Sequence, residues 1–63
     1  MKIGERIKTL RKAKRLTLND LAVCIGKDRS QVGKYEKGTT DIPLSVLEKI
    51  AASLDVPVKR LFE

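Results

Sequence analysis

The stretch 18–37, LNDLAVCIGKDRSQVGKYEK, limits the fold more than any other part of this chain. Leu18, Leu21, Ala22 and Ile25 fall at i, i+3, i+4 and i+7, one face of a 3.6-residue repeat, and predict a short amphipathic helix. Gly26 ends it, because a left-handed residue costs glycine little and other residues a good deal. Asp28 is a good N-cap for a second helix, and its carboxylate suits the positive helix end. In that second helix Val32 and Tyr35 mark the buried side, with Glu36 beside it. Arg29, Ser30, Gly33, Lys34 and Lys37 are left for the outer side. A cationic outer face without large apolar groups is what a helix needs to enter a major groove.

This stretch resembles the helix-turn-helix of the phage-repressor and Cro-like (Xre-type) DNA-binding family. The resemblance rests on Ala22, Gly26, Val32 and Tyr35, at spacings of four, six and three. Ala22 is small where the second helix crosses over it, Gly26 makes the turn, and Val32 and Tyr35 anchor the second helix on the first. The resemblance covers nearly the whole chain and implies an all-α, compact five-helix repressor-like domain with the helix-turn-helix at helices two and three. It also implies that Arg11 of the first helix pairs with Glu36 at the end of the recognition helix. By themselves these two read equally as solvated charges. Leu18 departs from the family, in which a polar residue, often Gln, opens the second helix and holds the DNA backbone.

Sixty-three residues are enough for one domain, 1–63, and a chain this short buries only about 60% of its unfolded surface. Aromatic content is 3%, Tyr35 and Phe62 alone, so the core is aliphatic. No apolar run approaches the roughly 20 residues that span a bilayer. The N-terminal MKIGERIKTLRKAKR is charged throughout and lacks the apolar stretch of a signal peptide. A cytoplasmic, nucleoid-associated protein is the expectation. With one cysteine, Cys24, and no histidine, neither an internal disulfide, an ordinary zinc site nor a Ser-His-Asp or Cys-His pair can be assembled. No enzyme activity, cofactor or metal is expected. Cys24 reads as a space-filler or a half-exposed thiol.

Net charge is +6, and its distribution is uneven. Residues 1–37 carry +7 and residues 38–63 carry −1. The basic excess lies in the half that holds the helix-turn-helix, as a phosphate-facing surface would have it.

The flanking segments are also helical. Lys2 to Lys14 predicts a first helix, with Ile3, Ile7 and Leu10 on one face. Leu16 reads as a buried residue of the connection, and Thr17 with Asp20 approximates a capping box for the second helix. Gly38 is a C-cap, and the loop 39–42 leads to Pro43, a residue suited to a first turn. The fourth helix is expected from Pro43 or Leu44 to about Leu54, with Leu44, Leu47, Ile50, Ala51 and Leu54 as its core stripe. After the break at 55–57, residues 58–62 form one last turn or two.

The expected base contacts are Arg29, Ser30, Gly33 and Lys34. The planar fork of Arg29 suits guanine N7 and O6, and Lys34 lies one turn beyond Ser30 on the same side. Gly33 reads either as room for a close approach to DNA or as a weak point in the helix. The expected phosphate contacts are Thr17, Lys37, Thr39 and Thr40, with Lys8, Lys12 and Arg15 beside them. Pro57, Val58, Leu61 and Phe62, with the loop before Pro43, are a candidate homodimer surface, although Leu61 and Phe62 read more readily as core. The expected partner is double-stranded DNA, at a near-palindromic operator, for a transcriptional regulator and most readily a repressor. Two other readings stay open: a protein-interaction module of the same fold, such as an antitoxin-like partner, and the head of a larger ligand-sensing regulator.

Overall fold

Four α-helices and a closing 3-10 helix make up the computed structural model, which describes residues 2–63. They are α1 (Ile3–Ala13), α2 (Leu18–Ile25), α3 (Arg29–Lys37), α4 (Leu44–Ser53) and the 3-10 helix Val58–Phe62. There is no strand among the described residues. The whole measures 25 × 23 × 19 Å.

The central pair follows the local signals in the chain. Thr17 and Asp20 form a complete capping box at the start of α2. The Asp20 N–H donates to Thr17 Oγ1 (3.0 Å) and the Thr17 N–H to Asp20 Oδ2 (2.8 Å). Gly26 closes α2 in the left-handed region, at φ 72°. Asp28 then caps α3 by accepting the Gln31 N–H at 2.8 Å, and Gly38 closes α3 at φ 76°. Leu21, Ala22 and Ile25 of α2 and Val32 and Tyr35 of α3 are buried against one another, with α2 packed also on α4 and α3 on α1.

The outer elements depart from the sequence pattern in four places. First, α1 is one residue shorter at each end than Lys2–Lys14, with Lys2 and Lys14 as its caps. Its buried stripe is Gly4, Ile7 and Arg11, while Ile3 and Leu10 are only half-buried on the flanks. Apolar periodicity cannot register a stripe that contains a glycine and a paired arginine. Leu16 is likewise half-buried.

Second, Leu44 is 64% exposed and Val46 takes a place in the core. Leu44 is the first helical residue of α4 and lies off the side that Leu47, Ile50, Ala51 and Leu54 present to α2 and the 3-10 helix. Third, the fifth helix is a 3-10 helix of five residues rather than an α-helix. A segment that short gains too few i→i+4 bonds to nucleate α geometry. Fourth, its two end side chains separate: Leu61 is fully buried and Phe62 is 63% exposed. Leu61 therefore belongs to the core and cannot serve as a dimer contact, and Phe62 is surface rather than core.

Among the described residues, the largest side chains essentially excluded from water are Ile7, Leu21, Ile25, Ile50, Leu54, Leu61 and Val32. Each of these aliphatic burials contributes about 1.5–3 kcal/mol before the ordering cost is subtracted. They come from every element, so no pair of helices holds the core alone. No helix of the described residues is long and apolar enough to cross a membrane.

Candidate nucleic-acid interface

The core fixes α3 by one face and leaves the other open. Val32, Tyr35 and Glu36 are buried, whereas Arg29, Ser30, Lys34 and Lys37 are exposed. Arg29 and Ser30 stand in the first turn, directly after the Asp28 cap. Lys34 follows Ser30 by one turn, on the same side. Gly33 is half-buried, and a Cβ built on it meets nothing within 4 Å. The space over Gly33 is therefore open, not filled by a packing neighbour.

The far end of α3 is locked to α1. Arg11 meets Glu36 through a two-pronged contact: Nε donates to Oε2 at 2.7 Å and Nη2 to Oε1 at 3.2 Å. The third prong, Nη1, donates to the Leu16 carbonyl at 2.6 Å. Both side chains are buried, at 8% and 5% exposure. Arginine suits this place because its planar fork matches a carboxylate and still has a donor for a carbonyl. One guanidinium so ties α1, the α1–α2 turn and the last turn of α3 together.

The lysines gather beside that pair. Lys8, Lys12 and Lys37 line a cleft of about 240 Å³ whose other walls are Leu18, Gly33 and the Arg11–Glu36 pair. Lys8 and Lys37 also border a second cleft, with Lys2, Gly4, Glu5 and Gly38. Arg15 is not part of this group. It is exposed in the turn after α1, where its backbone is left-handed at φ 60°.

The hydroxyls are placed less freely than the lysines. Thr17 Oγ1 accepts the Asp20 N–H, and its hydroxyl also supports the Asp20 carboxylate, so the group is already engaged by the cap. Two amides at the start of α2 are engaged by the capping box, and Asp20 adds a negative charge there. The Thr17 backbone N–H, and then its hydroxyl, hold the Asp20 carboxyl below its ordinary pKa of 3.8. Thr39 donates its hydroxyl to the Lys34 carbonyl at 3.3 Å. Thr40 is half-buried and lines an apolar groove with Ile3, Ile42 and Phe62, away from the lysine cleft.

Two residues of this region are missing from the sequence reading. Gln31 sits half-buried in the first turn of α3, and a Gln in that turn next to Arg29 and Ser30 was the signal for it. Gly4 packs against the last turn of α3, and nothing local in the sequence marks it. Cys24 is exposed on α2. No group of three or more Cys, Asp or Glu able to hold a metal ion occurs among the described residues.

The family model described as helix-turn-helix matches residues 7–61. The chain belongs to this family. Among curated proteins it is 39% identical over 62 residues to the transcriptional regulator SinR of Bacillus subtilis, covering 97% of this chain and 56% of SinR. The chain spans about half the length, or less, of the curated relatives it matches. Among solved structures it superposes on the restriction-modification controller protein C.AhdI from Aeromonas hydrophila with a TM-score of 0.92. Identity there is 40%, over 95% of this chain and 91% of that one. SinR in complex with DNA gives a TM-score of 0.87 at 39% identity, over 97% of this chain and 98% of that one. The P22 c2 repressor, at 0.90 and 21% identity, shares the fold.

Proposed function

We propose that residues 1–63 act as one sequence-specific, double-stranded DNA-binding domain of a transcriptional repressor. The observation that carries this is the division of α3, whose open face holds Arg29, Ser30, Lys34 and Lys37 while its other face is buried. In this reading the first turn of α3 enters the major groove. Arg29 reads a guanine through N7 and O6, and Ser30 and Lys34 reach neighbouring base edges. The open space over Gly33 lets a base pair or a sugar come close to the helix. Lys8, Lys12 and Lys37 hold one stretch of backbone, with Arg15 and Thr17 at its edge. Thr39 and Thr40 follow Lys37 past the last turn of α3, and Thr39 can donate to a phosphate when it gives up the Lys34 carbonyl.

A single recognition helix covers too few base pairs to select an operator, so the binding unit is a dimer on a near-palindromic site. Its surface in this reading is Pro57, Val58 and Phe62 with the loop before Pro43. Phe62 and Ile42 border an apolar groove of about 310 Å³. Bound to its operator in the cytoplasm, the dimer excludes polymerase. A second reading makes this chain the DNA-binding part of a larger regulator. The fraction of its curated relatives' length that it matches favours that reading.

Selection of binding sites from random duplex DNA at moderate salt tests the proposal. The expected product is a two-fold symmetric sequence with half-site centres about one helical turn, roughly 34 Å, apart. Recovery of DNA with no enriched sequence would overturn specific recognition and leave only charge-driven binding.

A further inference from the structure

Gly4 occupies the first turn of α1 and is buried. Its backbone is ordinary helix, so it is not there for a turn that only glycine can make. Glycine inside a helix is a weak choice by propensity, and its reason must lie in what faces it. A Cβ built on Gly4 would stand 2.5 Å from the carbonyl oxygens of both Tyr35 and Glu36, and 2.9 Å from the Glu36 carbonyl carbon. These are backbone atoms of the last turn of α3, and cannot swing aside as a flexible side chain would. Ordinary contact begins at 3.4 Å, so any side chain there must drive the two helices apart by about an ångström.

The same turn of α3 is held a second time. Gly4, Ile7 and Arg11 form the buried stripe of α1, and Arg11 grips the Glu36 carboxylate at the far end of that stripe. Seven residues of helix separate the two points, about 10 Å along the axis. The Gly4 contact sets how near the last turn of α3 lies to α1, and with α2 holding the middle of α3 through Val32 and Tyr35 it contributes to the angle between α1 and α3. The first turn of α3, which carries Arg29 and Ser30, makes no side-chain hydrogen bond to α1, so a shift of the last turn, pivoting on the α2 contact, is passed to it through the helix.

We infer that Gly4 is a positioning residue of the nucleic-acid interface: its missing side chain sets the tilt at which α3 presents Arg29 and Ser30 to DNA. This rests on the DNA-binding reading above. The residue touches no DNA itself and acts through the backbone of Tyr35 and Glu36.

The test is Gly4→Ala, made in the parent and in an Asp55→Gly background. Asp55 has a left-handed backbone, at φ 58°, and its nearest charged neighbour is Lys14 at the C-terminal end of α1, whereas Gly4 is in the first turn; glycine at 55 relieves strain there. Leu54→Ala, at the C-cap of α4, serves as a control that weakens the core without entering the α1–α3 contact. Two readouts are taken at a temperature at which circular dichroism shows each variant folded. The first is backbone amide chemical shifts in the absence of DNA. The expected changes run through residues 29–38, and changes confined to the first turn of α1 would overturn the inference. The second is the ratio of affinities for the selected operator and for unrelated DNA. For Gly4→Ala it is expected to fall at least tenfold, with unrelated DNA bound as before, while Leu54→Ala leaves it unchanged.

A folded Gly4→Ala protein whose ratio stays within twofold of the parent would overturn the inference. So would failure of Gly4→Ala to fold even beside Asp55→Gly, since the contact would then support the fold and not the tilt. Absence of any preferred sequence for the parent itself would count against the DNA-binding reading, and the amide shifts would still decide the role of Gly4.

Discussion

The two inner helices and the two outer ones end in the same way but for different reasons. Each α-helix closes with a backbone bond spanning five residues: Leu16 to Arg11, Lys27 to Ala22, Thr39 to Lys34 and Val56 to Ala51, at 3.0–3.1 Å. That closure needs a left-handed residue. For α2 and α3 it is Gly26 and Gly38, and side chains of Thr17 and Asp28 cap the opposite ends. For α1 and α4 it is Arg15 and Asp55, at φ 60° and 58°, and neither helix has a side-chain cap at its start. The helix-turn-helix is thus specified by its own local residues. The outer helices are held in shape by what they pack against, including Arg11 on the Leu16 carbonyl and the half-buried Val56.

The largest expected effect comes from cutting the tie between the two classes. Arg11→Ala should lower stability by about 3–5 kcal/mol, because it strands the buried Glu36 carboxylate. Urea unfolding checks this. A loss of only about 0–1 kcal/mol would mean that the pair behaves as an exposed one. Replacing both partners with apolar residues of similar size should recover much of the loss.

Substitution at the helix ends sharpens the comparison directly. Gly26→Ala and Gly38→Ala each place a Cβ in the left-handed region and should cost about 1–2 kcal/mol. Asp55→Gly should instead raise the thermal midpoint, by the equivalent of about 1 kcal/mol or less, since it removes the same strain. A loss of stability at Asp55→Gly would show that the weak Lys14–Asp55 contact, at 4.0 Å, matters more than the backbone.

The caps give the smallest effects. Thr17→Ala should cost about 1 kcal/mol. Asp20 adds a pH dependence whose sign follows from its lowered pKa. A carboxyl that is more acidic folded than unfolded stabilises the protein above its ordinary pKa, and that contribution fades as pH falls through the folded value. Stability should therefore drop below about pH 3.8 partly through Asp20, and Asp20→Asn should flatten that part of an acid-unfolding curve. An unchanged curve would remove the cap from the acid response.

The same division decides what could be read in the sequence. Thr17, Asp20, Gly26, Asp28 and Gly38 act on neighbours a few residues away, so α2 and α3 were legible to their ends. The outer parts were not. Gly4 has meaning only against the carbonyls of Tyr35 and Glu36, which the chain reaches after two turns and a further helix. Leu44 and Val46 exchange roles according to which side of α4 meets α2, and the 3-10 geometry that exposes Phe62 depends on Leu61 finding the core. The Arg11–Glu36 pair came from the family resemblance, since burial of a charge is invisible in a sequence. Of the candidate contacts, Arg29, Ser30, Lys34 and Lys37 are on the open face of α3 as periodicity required. Thr39 and Thr40 are expected from the sequence as phosphate contacts, but one hydroxyl is already bonded to the Lys34 carbonyl and the other residue lines the groove by Phe62.

The decisive measurement is the affinity of Arg29→Ala for the selected operator and for every single-base variant of it. If α3 reads bases from its first turn, Arg29→Ala loses about 1–3 kcal/mol on the operator and loses its preference at one base pair in each half-site. Preferences at the other positions stay as in the parent. A preference profile identical to the parent's, or a loss that is equal on all sequences, would contradict entry of this turn into the groove.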